Sequence, residues 1–338
     1  MHHQSPPKHK RFILHYRKLI YPADSLPRKI IVRTMNPLYL PFIQYSRRAV
    51  HNILDISIES GIDIPVAPLL RTPFDLLDGF VKYGVLKKNN EHYNVITVDK
   101  NLIREAPIII PEYEESALIL RRAGYPYRGF ILPIPWYYIE VFYINGKPLI
   151  SNPKIAIDLI TALMTRLITV ITSYGLNLLI FIDIDDKLKS YFSRPRPNEP
   201  WTWSLLIELL RKVIRRSDAE KYGFMFCSKP SLLLIESLSS LPVDFISLNL
   251  SWYTVDELYS LYRILKGYNV YLAYIIDPSE YLDKRTSRIV ELSGIFTNLL
   301  KYLSTDCKLI HIYNKQGFNG IIEYVKQLPL LVEKISPY

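Results

Sequence analysis

YGFMFCSKPSLLLIESLSSLPVDFISLN, residues 222–249, is the stretch that decides the fold of this chain. Its two ends, residues 222–227 and 243–249, are short apolar runs rich in aromatic and β-branched side chains, as buried strands are. Between them, SLLLIESLSS has a helical period. Strands joined through a helix run parallel, because antiparallel neighbours need only a short turn. The stretch therefore predicts a strand–helix–strand unit of a parallel sheet.

The same alternation extends along most of the chain. Helical segments separate the apolar runs, including residues 287–303 before the last one. Continuously apolar strands need a layer of helices over their outer face, and eight of them close most economically into a ring. The sequence therefore predicts an α/β fold, a (β/α)8 TIM barrel. The eight predicted strands are residues 29–34, 62–67, 129–133, 176–184, 222–227, 243–249, 268–276 and 308–313.

The alternative architecture is an open, doubly wound parallel sheet. No Gly-rich phosphate loop or dinucleotide fingerprint follows any predicted strand, so the usual ligand signature of that fold is missing from the sequence. Residues 85–111 depart from the strand–helix alternation and predict a hairpin or extended insertion after the second strand. We expect residues 1–12 to form a flexible basic tail and residues 13–338 a single barrel domain.

The composition is that of a globular chain: of 338 residues, 49% are hydrophobic, and the mean hydropathy is +0.06. Two cysteines cannot form a disulfide framework, and no secretion signal is recognisable, which predicts a cytoplasmic protein. Residues 155–184 are apolar enough to suggest a membrane span. However, Asp158 and Arg166 interrupt the run and would be costly in a bilayer. We expect a buried helix and strand there, and no membrane association.

The formal net charge of +10 can attract nucleic acid, a membrane or a polyanionic cofactor. The basic groups are scattered, however, and no stripe with interleaved aromatic residues, zinc-finger spacing or RNA-binding signature is present. We therefore expect general surface charge and no nucleic-acid partner. Lys, Ile and Tyr are abundant and Gln is scarce, a composition of archaeal, thermophilic type.

In a barrel of this kind, chemistry collects at the carboxyl ends of the strands. Asp183 and Asp185 share one face of their strand, whereas Ile182 and Ile184 take the other. Both aspartates could bind a substrate or make structural hydrogen bonds, and a lone cysteine such as Cys227 often serves as a small buried hydrophobe. The rim aromatics, Trp136, Tyr137 and Tyr138, could hold a flat ligand or simply pack. The polar or sulfur-bearing residues at the predicted strand ends are Asp183, Asp185, Met225, Cys227, Asn249, Asp277, Asn314 and Lys315.

Several segments, in order, resemble the catalytic C-terminal barrel of cobalamin-independent methionine synthase, in the uroporphyrinogen decarboxylase/methionine synthase-like superfamily. SGIDIPVAPLLRTPFDLLDGF, residues 60–80, is similar to the second-strand region of that family with its Arg and its Leu-Asp-Gly-Phe. The segment before the third strand, FIDID, CSKPSLLLIES and DFISLN resemble the later strand regions. The resemblance covers most of the chain and implies the same barrel.

The resemblance implies a zinc ion held by His, two Cys and Glu, which binds homocysteine as a thiolate that accepts a methyl group from a folate. Cys227 matches the first Cys, but Met225 stands in place of His and Asn249 in place of Glu. Cys307 precedes the predicted eighth strand and would lie at the opposite end of the barrel. When the predicted eighth strand is matched to the eighth strand of the family, Lys315 stands at the position of the second Cys. Such a set cannot hold Zn²⁺.

The same resemblance implies that Asp183, with Asp185 nearly as good a match, holds the amino group of the amino-acid substrate. Asn249 is a further candidate for substrate binding. Two functions follow. The first is a diverged homologue that has lost zinc-thiol methyl transfer, needs no cofactor, and acts as a companion of a catalytic methionine synthase-like subunit or binds an unidentified small molecule. The alternative is an active methyltransferase acting on homocysteine through a rearranged site, with zinc at Cys227 or a folate-type methyl donor.

Overall fold

Eight parallel strands form the centre of the protein in a computed structural model that describes residues 32–89, 92–139, 141–183, 203–276, 294–296, 298–306 and 309–335. The neighbour order in this sheet is β1-β12-β11-β10-β9-β8-β5-β2. The strands within the described ranges are β1 (Arg33–Met35), β2 (Val66–Ala67), β3 (Leu86–Asn89), β4 (His92–Val95), β5 (Gly129–Pro133), β6 (Phe142–Ile144), β7 (Lys147–Pro148), β8 (Leu178–Asp183), β9 (Lys221–Phe226), β10 (Phe245–Leu248), β11 (Tyr271–Ile276) and β12 (Leu300–Thr305).

The two ends of this sheet meet between β1 and β2. Parallel bridges join Met35 to Ile64 and Tyr39 to Leu69. The Ile64 amide donates to the Thr34 carbonyl at 2.9 Å. The sheet therefore closes on itself, which confirms the predicted (β/α)8 barrel and excludes an open sheet with two free edges.

Helices surround the barrel and begin at polar caps. Ser46, Ser231 and Thr254 each accept a hydrogen bond from a backbone amide of the first turn, and Thr254 forms a capping box with Glu257. Within the described ranges the helices are α1 (Arg47–Glu59), α2 (Asp78–Lys82), α3 (Lys100–Glu105), α4 (Pro111–Arg122), α5 (Pro153–Ser173), α6 (Trp203–Arg215), α7 (Leu232–Ser239), α8 (Val255–Tyr268) and α9 (Ile310–Ile335), which breaks at Gly317.

Helix α5 is the apolar segment that suggested a membrane span in the sequence. By length and composition it could cross a bilayer, but 61% of its most apolar window is buried inside the protein. Arg166 donates two hydrogen bonds to the Ala106 carbonyl, at 3.0 and 2.8 Å, and Lys212 of α6 approaches Asp158 at 3.8 Å. The predicted buried helix and the strand β8 that follows it are confirmed.

A hydrogen bond to an outer helix identifies the inner face of β9 and, by register, of its neighbours β8 and β10. The Tyr222 hydroxyl bonds to the Ile214 carbonyl of α6 at 3.4 Å, so Tyr222 faces outward and Gly223 and Met225 face inward. Parallel partners in register share a face, and Met225 is aligned with Ile182 of β8 and Ser247 of β10. The inner wall near the carboxyl ends of these strands therefore consists of Ile182, Met225 and Ser247.

The predicted hairpin insertion after the second strand is confirmed, with β3 and β4 paired antiparallel. The insertion is larger than the sequence indicated, because β4 also pairs with β6, and β6 with β7, in a separate four-stranded sheet. The prediction of the last strand was wrong: β12 is Leu300–Thr305, which overlaps the end of the predicted helix 287–303, and most of the predicted strand 308–313 belongs to α9. A short apolar run contains too few residues for its hydrophobic period to distinguish a strand from a helix.

Candidate functional site

The candidate site lies at the rim formed by the carboxyl ends of the barrel strands. Cys227 and Asn249 directly follow β9 and β10, and both are buried. Asp183 is the last residue of β8 and is also buried, and its carbonyl accepts a hydrogen bond from the Cys227 amide at 3.3 Å. Asp185 lies outside the described residues. The structure thus brings Asp183 and Cys227 together at neighbouring strand ends.

Strand alternation does not turn Asp183 toward the barrel axis. Asp183 shares a face with Phe181, whose ring stacks on Phe224 at 5.4 Å between centroids. Phe224 in turn shares the helix-facing side of β9 with Tyr222. Ile182 therefore takes the inner face at this level. Asp183 could therefore contact a substrate only above the end of its strand, at the rim. Its role in substrate binding stays a prediction.

Two buried polar residues lie on the inner wall near the rim, Ser247 within β10 and Asn249 directly after it. Ser247 Oγ and Asn249 Nδ2 have no hydrogen-bond partner among the described residues, and both residues are fully buried. The Asn249 Oδ1 atom is satisfied, because it accepts from the Ser251 amide at 2.9 Å. A buried donor without an acceptor costs about 1–3 kcal/mol. The two donors therefore favour a bound molecule with acceptor oxygens.

The described residues at this rim do not fit a zinc ion. Cys227 is disulfide-bonded, and a disulfide sulfur lacks the thiolate charge that zinc requires. Met225 and Asn249 stand at the other matched positions and offer a thioether and a neutral amide. In the part of the chain that the structure describes, no group of three or more His, Cys, Asp or Glu residues could hold a metal ion.

The sequence-based placement of the last candidate ligands is corrected by the true position of β12. Lys315 lies within α9 and not at a strand end, so its match to a ligand position was wrong. Cys307, which lies outside the described residues, comes two positions after Thr305, the last residue of β12. The reason for assigning Cys307 to the opposite end of the barrel therefore no longer holds.

A clamp fixes the two loops that follow β9 and β10. Lys229 Nζ lies 2.8 Å from both carboxylate oxygens of Glu257, and it also lies 5.0 Å from the centre of the Tyr253 ring. The Tyr253 hydroxyl donates to the Pro230 carbonyl at 3.3 Å. The hydrogen bond from Lys229 lowers the pKa of Glu257, which is also the capping residue of α8. The sequence signal Thr254-x-x-Glu257 would have revealed the cap but not the clamp.

A second polar group, a buried ion pair, joins the loop after β2 to the start of α4. Arg71 Nε lies 2.9 Å from Glu112 Oε2, and the Glu112 side chain is fully buried. Glu112 Oε1 has no hydrogen-bond partner among the residues described here. Burial raises the pKa of Glu112, and the hydrogen bond and charge of Arg71 oppose that rise only in part. Sequence reasoning noted Arg71 but missed its partner.

The rim aromatics after β5 serve mainly as packing residues. Trp136 and Tyr138 are buried, and the Tyr138 hydroxyl donates to the Pro73 carbonyl at 3.0 Å. The ring of Tyr137, which is only half-buried, lies 5.4 Å from Phe74. Of the three aromatics, Tyr137 alone keeps exposed surface on which a flat ligand could stack.

No protein-family model and no curated protein matches this sequence. Solved structures do resemble it. A putative vitamin-B12 independent methionine synthase from Listeria monocytogenes is 15% identical, with a TM-score of 0.56 over 86% of each chain. A methyltransferase from Methanosarcina mazei is 13% identical, with a TM-score of 0.61 over 96% of this chain and 97% of that one. At these identities the likeness shows a shared barrel fold.

Proposed function

We propose that this protein is a diverged, zinc-free relative of cobalamin-independent methionine synthase that binds a small polar molecule at the carboxyl rim of its barrel. The inner wall there carries the proposal, because Met225 and Asn249 stand at the matched positions where zinc chemistry would need His and Glu. The similarity in fold to a putative methionine synthase supports the ancestry. Such a protein would act as a ligand-binding subunit or as the companion of a catalytic methionine synthase-like subunit.

The wall also indicates the class of ligand. Ser247 Oγ and Asn249 Nδ2 supply two buried donors, whereas Ile182 and Met225 supply apolar contact beside them. A molecule that fits this wall carries acceptor oxygens, such as a carboxylate, next to a short apolar or thioether chain. Methionine and homocysteine are the first ligands to test, since both combine these groups.

One observation favours the alternative, an active methyltransferase with a rearranged site. Cys227 follows β9, and the other cysteine of the chain follows β12 by two positions, so the sequence supplies a thiol after each of two strands that end at the same rim. Reduction of the disulfide at Cys227 would then supply thiolates for a metal and, with a folate-type donor, methyl transfer to homocysteine.

The deciding experiment measures bound zinc in protein purified without chelator, under reducing conditions, beside Cys227→Ala. We expect less than stoichiometric zinc in both proteins and no methyl transfer to homocysteine. Stoichiometric zinc that disappears in Cys227→Ala, together with methyl transfer, would establish the alternative.

The same preparations are then titrated with methionine and homocysteine, and the melting temperature is followed. We expect either ligand to raise the melting temperature of the wild type but not of Ser247→Ala, which lacks the hydroxyl donor. An equal rise in the two proteins would place the ligand elsewhere.

A further inference from the structure

The opposite end of the barrel, where the strands begin, gathers cations around tyrosines. Arg33, Lys221 and Lys301 lie at or next to the first residues of β1, β9 and β12. Lys221 Nζ lies 4.0 Å from the centre of the Tyr127 ring, and Lys301 Nζ lies 3.9 Å from that of Tyr271. We call these three cations and two tyrosines the amino mouth. It is separate from the carboxyl rim and from the function proposed for it.

A β-bulge places Lys301 in this mouth. Consecutive residues of β11, Leu272 and Ala273, pair with Leu300 and Tyr302 of β12, so Lys301 is an extra residue without a partner in the ladder. In a regular strand Lys301 and Tyr302 would point to opposite faces. Because of the bulge, Lys301 Nζ also lies 5.9 Å from the Tyr302 ring. Bulges at barrel ends commonly re-aim a side chain in this way.

Among the described residues, no carboxylate forms an ion pair with the cations of the mouth, Arg33, Lys221 and Lys301. Asp244 is the acid nearest in sequence to this end of β10, and its Oδ2 accepts the Tyr222 amide at 2.9 Å. The cations of the mouth thus carry positive charge that no described ion pair offsets directly.

The positive charges of the mouth lie close enough to repel each other. Burial lowers the pKa of Lys301, and the neighbouring charge of Lys221 lowers it further, with Arg33 adding to the effect. The charge of Asp244 opposes this decrease only in part. Tyrosine faces attract an ammonium group, but only weakly at exposed sites. A bound anion would relieve the remaining repulsion.

Aromatic rings close the mouth from inside. The rings of Phe245 and Tyr302 lie 5.0 Å apart between centroids, and both residues are buried. Phe245 occupies space above Gly223, where a Cβ atom would meet its ring. A ligand therefore meets a closed floor and cannot pass into the barrel, which favours a small anion over an extended polyanion.

We propose that the amino mouth binds a small phosphate-bearing anion, held by Lys221 and Lys301 from two sides and by Arg33 at the edge. Phosphate groups carry the charge that the mouth lacks and accept several charge-assisted hydrogen bonds at once. Lysine binds phosphate as a point charge and arginine as a planar fork, so the set offers both modes.

The test is calorimetric titration of the full chain with inorganic pyrophosphate at physiological salt. We expect Lys301→Gln and Lys221→Gln each to weaken binding about tenfold, the effect of losing one charge-assisted hydrogen bond. Lys266→Gln is the matched control, since Lys266 also lies over a tyrosine, 5.6 Å from the Tyr262 ring, but at an exposed helix end. We expect Lys266→Gln to bind pyrophosphate as the wild type does.

Two outcomes would overturn the proposal. The first is the absence of binding by the wild type, and the second is equal weakening in all three variants, which would indicate general attraction to a basic surface. Selective weakening in the two mouth variants, with normal folding by circular dichroism, would establish the site.

Discussion

Gly223 shows how a single residue sets the interior of the barrel. An ideal Cβ atom at this position would overlap the Phe245 ring, closer than real Cβ atoms approach any neighbour. The aromatic floor below the barrel centre therefore depends on the absence of a side chain on β9. Glycine at this point is a packing requirement and not a turn.

We predict that Gly223→Ala destabilises the protein by about 1–3 kcal/mol or more, because Phe245 must leave its position in a closely packed wall. Gly267→Ala is the matched control, since Gly267 lies in α8 with no heavy atom within 4 Å of its ideal Cβ. The control should gain about 0.5–1 kcal/mol from better helix propensity. Urea unfolding measures both, and equal stability of the two variants would refute this account of Gly223.

At the same scale, the sequence located the site residues only partly. Strand ends were predictable, because Cys227 and Asn249 close short apolar runs bounded by polar residues. The alternation of side chains along a strand also predicted that Ile182 and Asp183 face opposite sides of the sheet. Which of them faces inward depended on the hydrogen bond of Tyr222 to α6, a contact between residues that no local pattern specifies. The disulfide at Cys227 was hidden for the same reason.

At the scale of elements, the buried ion pair between Arg71 and Glu112 joins the loop after β2 to the start of α4, across the insertion. The 26 residues from 85 to 110 separate β2's loop from α4, so this contact fixes the helix where the intervening chain does not. A buried carboxylate is costly without its partner, and Glu112 has one oxygen already unpaired among the described residues.

We predict that Arg71→Met destabilises the protein by about 3–5 kcal/mol at pH 7, because it leaves Glu112 charged and buried. Since burial already raises the pKa of Glu112 above its ordinary 4.5, this carboxyl favours the folded state in acid, and that contribution is lost as pH rises through the folded pKa. The penalty of Arg71→Met should therefore shrink toward pH 4.

Urea unfolding at pH 7 and pH 4.5 measures this dependence. The double variant Arg71→Met/Glu112→Gln serves as the control, since its neutral amide should recover part of the loss and remove the pH dependence. A penalty of the same size at both pH values would mean that Arg71 stabilises the protein by packing and not by its charge.

The elements themselves were predicted well where they were long or strictly apolar. Strand β5 was predicted with its observed bounds, and β8 to β11 within a few residues. The eighth strand failed because residues 308–313 are as apolar as residues 300–305. Residues 300–305 form the strand because they pair with β1, in which Arg33 is the partner of Tyr302, almost a whole chain length away. A local pattern contains no information on such a partner.

At the scale of the whole molecule, we predict from the sequence that residues 1–12 form a basic tail that contributes nothing to the barrel. Removing residues 1–12 deletes Lys8, Lys10 and Arg11, which lowers the formal net charge from +10 to +7. We predict that this deletion changes the melting temperature by less than about 1 °C, since the segment has no apolar period with which to pack. Differential scanning calorimetry measures the change.

Deletion of residues 1–37 is the contrasting variant, because it also removes β1 and with it the ladder to β12. That protein should lose cooperative unfolding, since the barrel would have two open edges. If the shorter deletion also abolished cooperative unfolding, the first twelve residues would belong to the barrel domain.

The pairing of the first and last barrel strands also determines how long the barrel stays open during synthesis of the chain. Tyr302, the partner of Arg33, is 269 residues further along the chain (302 minus 33). A ribosome adding about 5–20 residues per second needs on the order of 13 to 54 s to make that stretch. Throughout this time the nascent sheet keeps an unpaired edge, so the cell must protect an open barrel until its last strand emerges.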